Sequence, residues 1–146
     1  MEEKRNQSET SLIFGLFIWS LTAGLYAPVF IALYGSRWET IDYTHAYFIL
    51  PLSVYFVWRD RHKYPSLAEN LPVSNGIWPL FWLASGLSLF VFAWKQDYLF
   101  LSTLSLIPVL CGLTCFLYGK KVFLAAVFPI LYLLFLVPPP LGVLDE

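Results

Sequence analysis

A polar cluster, DYTHA at residues 42–46, stands at the start of an apolar segment. Asp42 and His45 are three residues apart, so on a helix their side chains can face one another. A carboxylate beside an imidazole stabilises the protonated ring and fixes its orientation, and Tyr43 adds a hydroxyl. Asp42, Tyr43 and His45 are therefore candidates for the rim of a site or for substrate contact. The alternative is a polar helix end, with Asp42 favoured by the helix dipole and His45 reaching water.

Two cysteines, Cys111 and Cys115, are four residues apart and share one helix face. Two thiols do not make a zinc site, which needs four ligands. Their surroundings are apolar, and an apolar setting disfavours the reactive thiolate. We interpret them, together with Gly112, as small residues that let two helices approach closely. The sequence predicts no metal site and no cofactor.

The composition is that of a membrane protein, with 58% hydrophobic and 13% charged residues, against roughly 25% charged in soluble domains. Long uncharged runs occupy residues 11–36, 71–94, 98–119 and 122–144, and each exceeds the ~20 residues that cross a bilayer. A shorter run, 43–58, can still span if the bilayer thins locally or the flanking side chains snorkel. Lipid requires internally satisfied backbone groups, which favours helices.

We therefore predict an all-α, polytopic transmembrane helical bundle that forms a single membrane domain with about five spans. The predicted spans are residues 11–35, 41–58, 76–94, 98–118 and 122–138. The lipid bilayer is the expected partner, and we expect no nucleic acid. The sequence does not indicate an oligomeric state.

Lysine and arginine counts predict the orientation of these spans. Of the nine Lys and Arg residues, seven fall in the N-terminal tail, the second connection and the fourth connection, and two on the other side. Cytoplasmic connections carry the excess of positive charge. The N-terminus is therefore predicted to be cytoplasmic and Glu146 to lie outside, which places Asp42, Tyr43 and His45 at the outer surface.

Prolines mark two further features. Pro51 and Pro129 lie inside predicted spans, where each removes a backbone donor and favours a kink. Three consecutive prolines, Pro138, Pro139 and Pro140, cannot continue a helix. The fifth span should leave the lipid near Val137 and form an extended structural turn at the outer surface. The chain stops soon afterwards at Glu146, which we interpret as an abrupt end within a longer protein.

Several motifs follow in a fixed order. They are W38…DYTHA, VWRDR at 57–61, P72…G76, LYG at 117–119, and FPILYLLFLVPPPLGVLDE at 128–146. In this order, from about Trp38 to Glu146, the chain resembles the N-terminal half of the exosortase/archaeosortase family. These are multi-span membrane cysteine peptidases that act as transpeptidases on C-terminal sorting signals of exported proteins. The family usually has glycine directly after the histidine, where this chain has Ala46; we expect the helix start to survive this small change.

The resemblance implies a reaction whose catalytic groups lie beyond this region. In the family a cysteine followed by Gly and Arg, an arginine in the next helix and a later histidine form the catalytic set. None of them maps onto this chain, and Cys111 and Cys115 match no such motif, so we assign no catalytic residue here. The family cysteine would attack a peptide carbonyl to form a thioacyl enzyme, while the histidine handles the proton and the arginine the oxyanion.

The expected function is therefore that of the N-terminal half of an exosortase-like hydrolase in the cell inner (cytoplasmic) membrane. Its site would face the outer side, and its partners would be exported proteins that carry a C-terminal sorting signal. The alternative is a non-enzymatic polytopic scaffold or transport-associated subunit. The near absence of charged residues within the spans weighs against transport, because transport pathways contain intramembrane ionisable groups.

Overall fold

A computed structural model describes residues 2–35, 44–64 and 76–137. These residues form five α-helices and one 3-10 helix, and no strand occurs among them. The elements are α1 (Glu2–Leu33), α2 (Ala46–Arg59), α3 (Ile77–Lys95), α4 (Leu99–Tyr118), α5 (Lys120–Tyr132) and the 3-10 helix η1 (Leu133–Leu136). The predicted all-α class is confirmed.

Within the described part of the chain, three segments are long and apolar enough to cross a membrane, namely Leu12–Leu33, Ile77–Lys95 and Leu99–Tyr118. The apolar helix α2 is shorter, with 14 residues, or roughly 21 Å. The 13 residues of α5 and the four of η1 together reach about 28 Å, close to a hydrocarbon core of about 30 Å. The chain is thus a polytopic membrane bundle, while the number of five spans and their orientation remain predictions.

The connection between α4 and α5 is a single residue, Gly119, with φ 88° and ψ 171°. This backbone region is open essentially only to glycine. The LYG motif therefore ends its helix as predicted. Because no loop separates the two helices, α5 starts directly where α4 stops and turns back along it.

The helices α3 and α4 make the closest contact in the bundle. A Cβ atom added to Gly112 would lie 2.7 Å from the backbone nitrogen of Leu83 and 3.0 Å from the carbonyl oxygen of Pro79. A Cβ on Gly86 would lie 2.6 Å from Cγ2 of Val109. Each glycine thus admits the partner helix at backbone distance, as the interpretation of Gly112 predicted, and such small residues are typical of membrane helix interfaces.

The buried core joins α1, α2, α4 and η1, together with Phe90 of α3. The hydroxyls of Tyr26 and Ser105 lie 2.9 Å apart, and Ser105 donates to the carbonyl of Ser102 at 2.7 Å. Tyr26 is therefore the donor to Ser105. The ring of Tyr26 also meets Phe90 edge-on, with centroids 4.9 Å apart. The hydrogen bond between Tyr26 and Ser105 satisfies two hydroxyl groups that lipid would leave unpaired.

A second polar bond ties α2 to α5. The hydroxyl of Ser53 donates to the carbonyl of Pro129 at 3.0 Å. Pro129 removes one backbone donor from α5, and after Tyr132 the helix tightens, with the N–H of Leu133 donating to the carbonyl of Ile130. Ser53 thus supplies a donor to the backbone where α5 changes into η1.

Candidate functional site at the His45 end of the bundle

His45 caps the start of α2. Its backbone has helical angles, φ −63° and ψ −24°, and its carbonyl accepts the N–H of Phe48 at 3.0 Å. The side chain is exposed, as is that of Thr44. Asp42 and Tyr43 lie outside the described residues, so the predicted pairing of Asp42 with His45 stays a prediction. His45 is placed at the rim of the bundle rather than in its interior.

Ala46, directly after His45, is fully buried. It belongs to the core cluster with Ile49 of α2 and Leu133 and Leu136 of η1. The helix begins at this residue, so the start survives alanine in place of glycine, as expected. The buried methyl group packs the first turn of α2 against η1, and the exposed His45 directly precedes this turn.

The approach to the proline turn lies at the same end of the bundle. Leu136 is fully buried in the cluster that contains Ala46. Val137 follows with an extended backbone, φ −67° and ψ 120°, so helical structure ends where the sequence predicts. Pro138, Pro139 and Pro140 lie outside the described residues. The structure therefore places His45 and Val137 at the same end of the bundle, although they are 92 residues apart in the sequence.

A cleft of about 610 Å³ opens between α1, α3 and α4. The residues that define it include Pro28, Ala32, Trp94, Asp97 and Ser102. These residues come from the C-terminal parts of α1 and α3 and the N-terminal part of α4, and the ring of Tyr34 lies 6.3 Å from that of Tyr47 in α2. The cleft is therefore at the same end of the bundle as His45.

The sequence did not lead us to predict Asp97 as a residue of this end of the bundle. It is exposed, and it is the one non-glycine residue with a positive φ, 55°, among the described residues. The sequence feature that could have identified it is an acidic residue in a short connection between Trp94 and Tyr98. Asp97 gives the cleft a carboxylate at its mouth, while the buried Ser102 lies deeper along α4.

The two cysteines lie away from this end. Both are free and buried, and Cys111 packs with Ile107, Ala126 and Ile130 between α4 and α5. Within residues 2–35, 44–64 and 76–137, no group of three His, Cys, Asp or Glu side chains is placed to hold a metal ion. The described residues thus form a polar rim at Thr44 and His45 and an adjoining cleft at the same end of the bundle.

Comparison with known protein families shows to which family this chain belongs. The family model described as transmembrane exosortase matches residues 38–146. The chain belongs to this family. In this exosortase-family chain, the match runs from just before α2 to beyond η1 and so includes both segments that meet at the His45 end. No curated protein and no solved structure matches the chain.

Proposed function

We propose that these residues form the N-terminal transmembrane half of an exosortase-like membrane cysteine peptidase and transpeptidase, which processes C-terminal sorting signals of exported proteins. The observation that carries the proposal is the family match over residues 38–146. The packing of α2 against η1 supports it, because two distant parts of the matched region converge on one end of the bundle.

The chemistry of the intact enzyme is acyl transfer through a cysteine supplied by a later part of the protein. The cysteine thiolate attacks the scissile carbonyl, the amine leaves with a proton, and a thioester remains until a second nucleophile takes the acyl group. In this scheme Asp42, Tyr43 and His45 contact the substrate near the outer membrane surface.

The test replaces His45 in the full-length protein and follows cleavage of an exported substrate in cells. His45→Ala should slow processing about tenfold, the effect of losing one hydrogen bond of about 1.4 kcal/mol, and His45→Gln should recover part of the rate. His62→Ala is the matched control. It changes the other of the two histidines, which is exposed in the turn after α2, at the opposite end from His45.

Two results would count against the proposal. Equal processing by His45→Ala and His62→Ala would make His45 a polar helix end without a role in substrate contact. A gene that ends at Glu146 in the cell would favour a non-enzymatic polytopic scaffold or transport-associated subunit. Further helices with a Cys-Gly-Arg motif, followed by a separate arginine and histidine, would support the enzyme.

A further inference from the structure

A second cavity lies in the other half of the bundle, between α1, α2, α4 and α5. Its volume is about 520 Å³, within the range of about 300–1,000 Å³ typical of ligand sites. The lining includes Trp19, Val54, Thr114, Ala126 and Ile130. Val54 lines the cavity and is nevertheless 65% exposed, so the cavity opens sideways on the surface that faces hydrocarbon. An apolar cavity with such an opening admits a lipid chain more readily than a soluble ligand.

The lining of the cavity contains the hydroxyl group of Tyr64. The hydroxyl oxygen of Tyr64 is buried and has no hydrogen-bond partner among the described residues. Burial raises the pKa of Tyr64, so the hydroxyl keeps its proton and remains a donor. Other polar groups nearby are paired, since Ser53 donates to Pro129 and Nε1 of Trp19 donates to the hydroxyl of Tyr118 at 3.1 Å. A buried donor without a partner favours a ligand with an acceptor oxygen.

Positive charge lies at the Tyr64 end of the cavity. Lys120 and Lys121 are exposed in the first turn of α5, which has no acidic residue. The positive end of a helix dipole disfavours cations and favours an anion, so an anion there would relieve the repulsion. This end of α5 adjoins the cavity, because Val122, the residue directly after Lys121, is part of the lining.

The α2 side contributes a second pair of cations. Nζ of Lys63 lies 3.0 Å from Asp60, and Nη2 of Arg59 lies 3.4 Å from the same carboxylate. These two pairings hold the pKa of Asp60 below its ordinary value of 3.8. Among the described residues, the four cations Arg59, Lys63, Lys120 and Lys121 thus outnumber the single carboxylate of Asp60 at this end of the cavity.

We propose that this cavity binds an anionic phospholipid, with an acyl chain in the apolar part and the phosphate beside Tyr64, Lys63 and Lys120. Basic pockets between transmembrane helices bind anionic lipid headgroups in this manner. The predicted orientation places the lipid in the cytoplasmic leaflet, at the opposite end of the bundle from His45. This site is independent of the proposed peptidase activity. A lipid bound in it would contact both α2 and α5 and so stabilise their packing.

The test uses the full-length protein in lipid nanodiscs, in a form whose tryptophans other than Trp19 are replaced by phenylalanine. Phosphatidylglycerol with brominated chains should quench Trp19 at a lower mole fraction than brominated phosphatidylcholine. Ala126→Phe fills the cavity from a position that is 8% exposed and should abolish this preference. Leu124→Phe, on the same helix but 60% exposed, is the matched control and should retain it.

Charge variants test the headgroup contact without altering the packing. Lys120→Gln and Lys121→Gln should each weaken the preference for phosphatidylglycerol about fivefold, whereas Lys95→Gln, at the other end of the bundle, should not. Native mass spectrometry of the same samples should show retained phosphatidylglycerol. Equal quenching by the two lipids, or an unchanged preference after Ala126→Phe in protein with a native circular dichroism spectrum, would overturn the proposal. Absence of any quenching in the full-length protein would mean that another protein segment fills the cavity, and would overturn it as well.

Discussion

Replacing Gly112 by alanine should push α3 and α4 apart, because the new methyl group meets backbone rather than a movable side chain. The added Cβ would lie 2.7 Å from the nitrogen and 3.0 Å from the Cα of Leu83, and 3.0 Å from the carbonyl oxygen of Pro79. None of these atoms can move without moving the helix. The contact between α3 and α4 must therefore open by several tenths of an ångström over at least one turn.

The magnitude follows from two opposing effects. Overpacking a tight contact costs about 1–3 kcal/mol, while alanine in place of glycine favours a helix by up to about 1 kcal/mol. The net expectation for Gly112→Ala is a loss of about 0.5–2 kcal/mol in the free energy of unfolding. Gly24→Ala is the matched control, because a Cβ at Gly24 in α1 meets nothing within 4 Å. It should leave stability unchanged or raise it slightly.

The assay is reversible unfolding in mixed micelles, with increasing dodecyl sulfate, followed by tryptophan fluorescence and circular dichroism. Gly86→Ala should resemble Gly112→Ala, and the double variant should cost less than the sum of the two, because one displacement relieves both contacts. Equal stability of Gly112→Ala and Gly24→Ala would refute the close approach of α3 and α4.

Two further predictions concern single bonds and angles. The Tyr26–Ser105 hydrogen bond should give a coupling energy of about 0.6 kcal/mol, the average for such bonds in membranes, in a double-mutant cycle of Tyr26→Phe and Ser105→Ala; additive effects would mean that the hydroxyls do not interact. Gly119→Ala should lower the free energy of unfolding by about 1–3 kcal/mol, because φ 88° and ψ 171° strain any residue with a Cβ. Gly15→Ala, in open space, is its control, and equal effects of the two substitutions would contradict the strained turn.

The sequence predicted the helix ends well where one residue type decides them. Gly119 ends α4 because glycine alone tolerates the turn, and helical structure ends before Val137 because three prolines follow. Composition predicted the all-α membrane class, since lipid leaves few other backbone arrangements. These features depend on local chemistry that a single residue or run of residues carries.

Pairing between helices could not be predicted in the same way. Gly86 and Val109 are neighbours only because α3 and α4 cross at that level, and nothing local in either segment specifies the partner. The change from α5 to the 3-10 helix η1 was also not predicted, and neither was the hydroxyl of Ser53 that donates to the carbonyl of Pro129 one turn before it. The candidate site was predicted only in part. His45 was identifiable because histidine is rare in this chain, whereas the cleft beside Asp97 forms only where three helices meet.

The shallow packing of α1 affects how freely its side chains can be substituted. Only 17% of its apolar window is buried, against 56% for α4, and the family match begins after it, at residue 38. Its hold on the bundle depends mainly on Tyr26, Val29 and Leu33 near one end. Among the described residues, the outward-facing side chains of α1 can therefore change with little effect on the neighbouring helices, whereas a substitution at Gly86 or Gly112 changes the contact between α3 and α4.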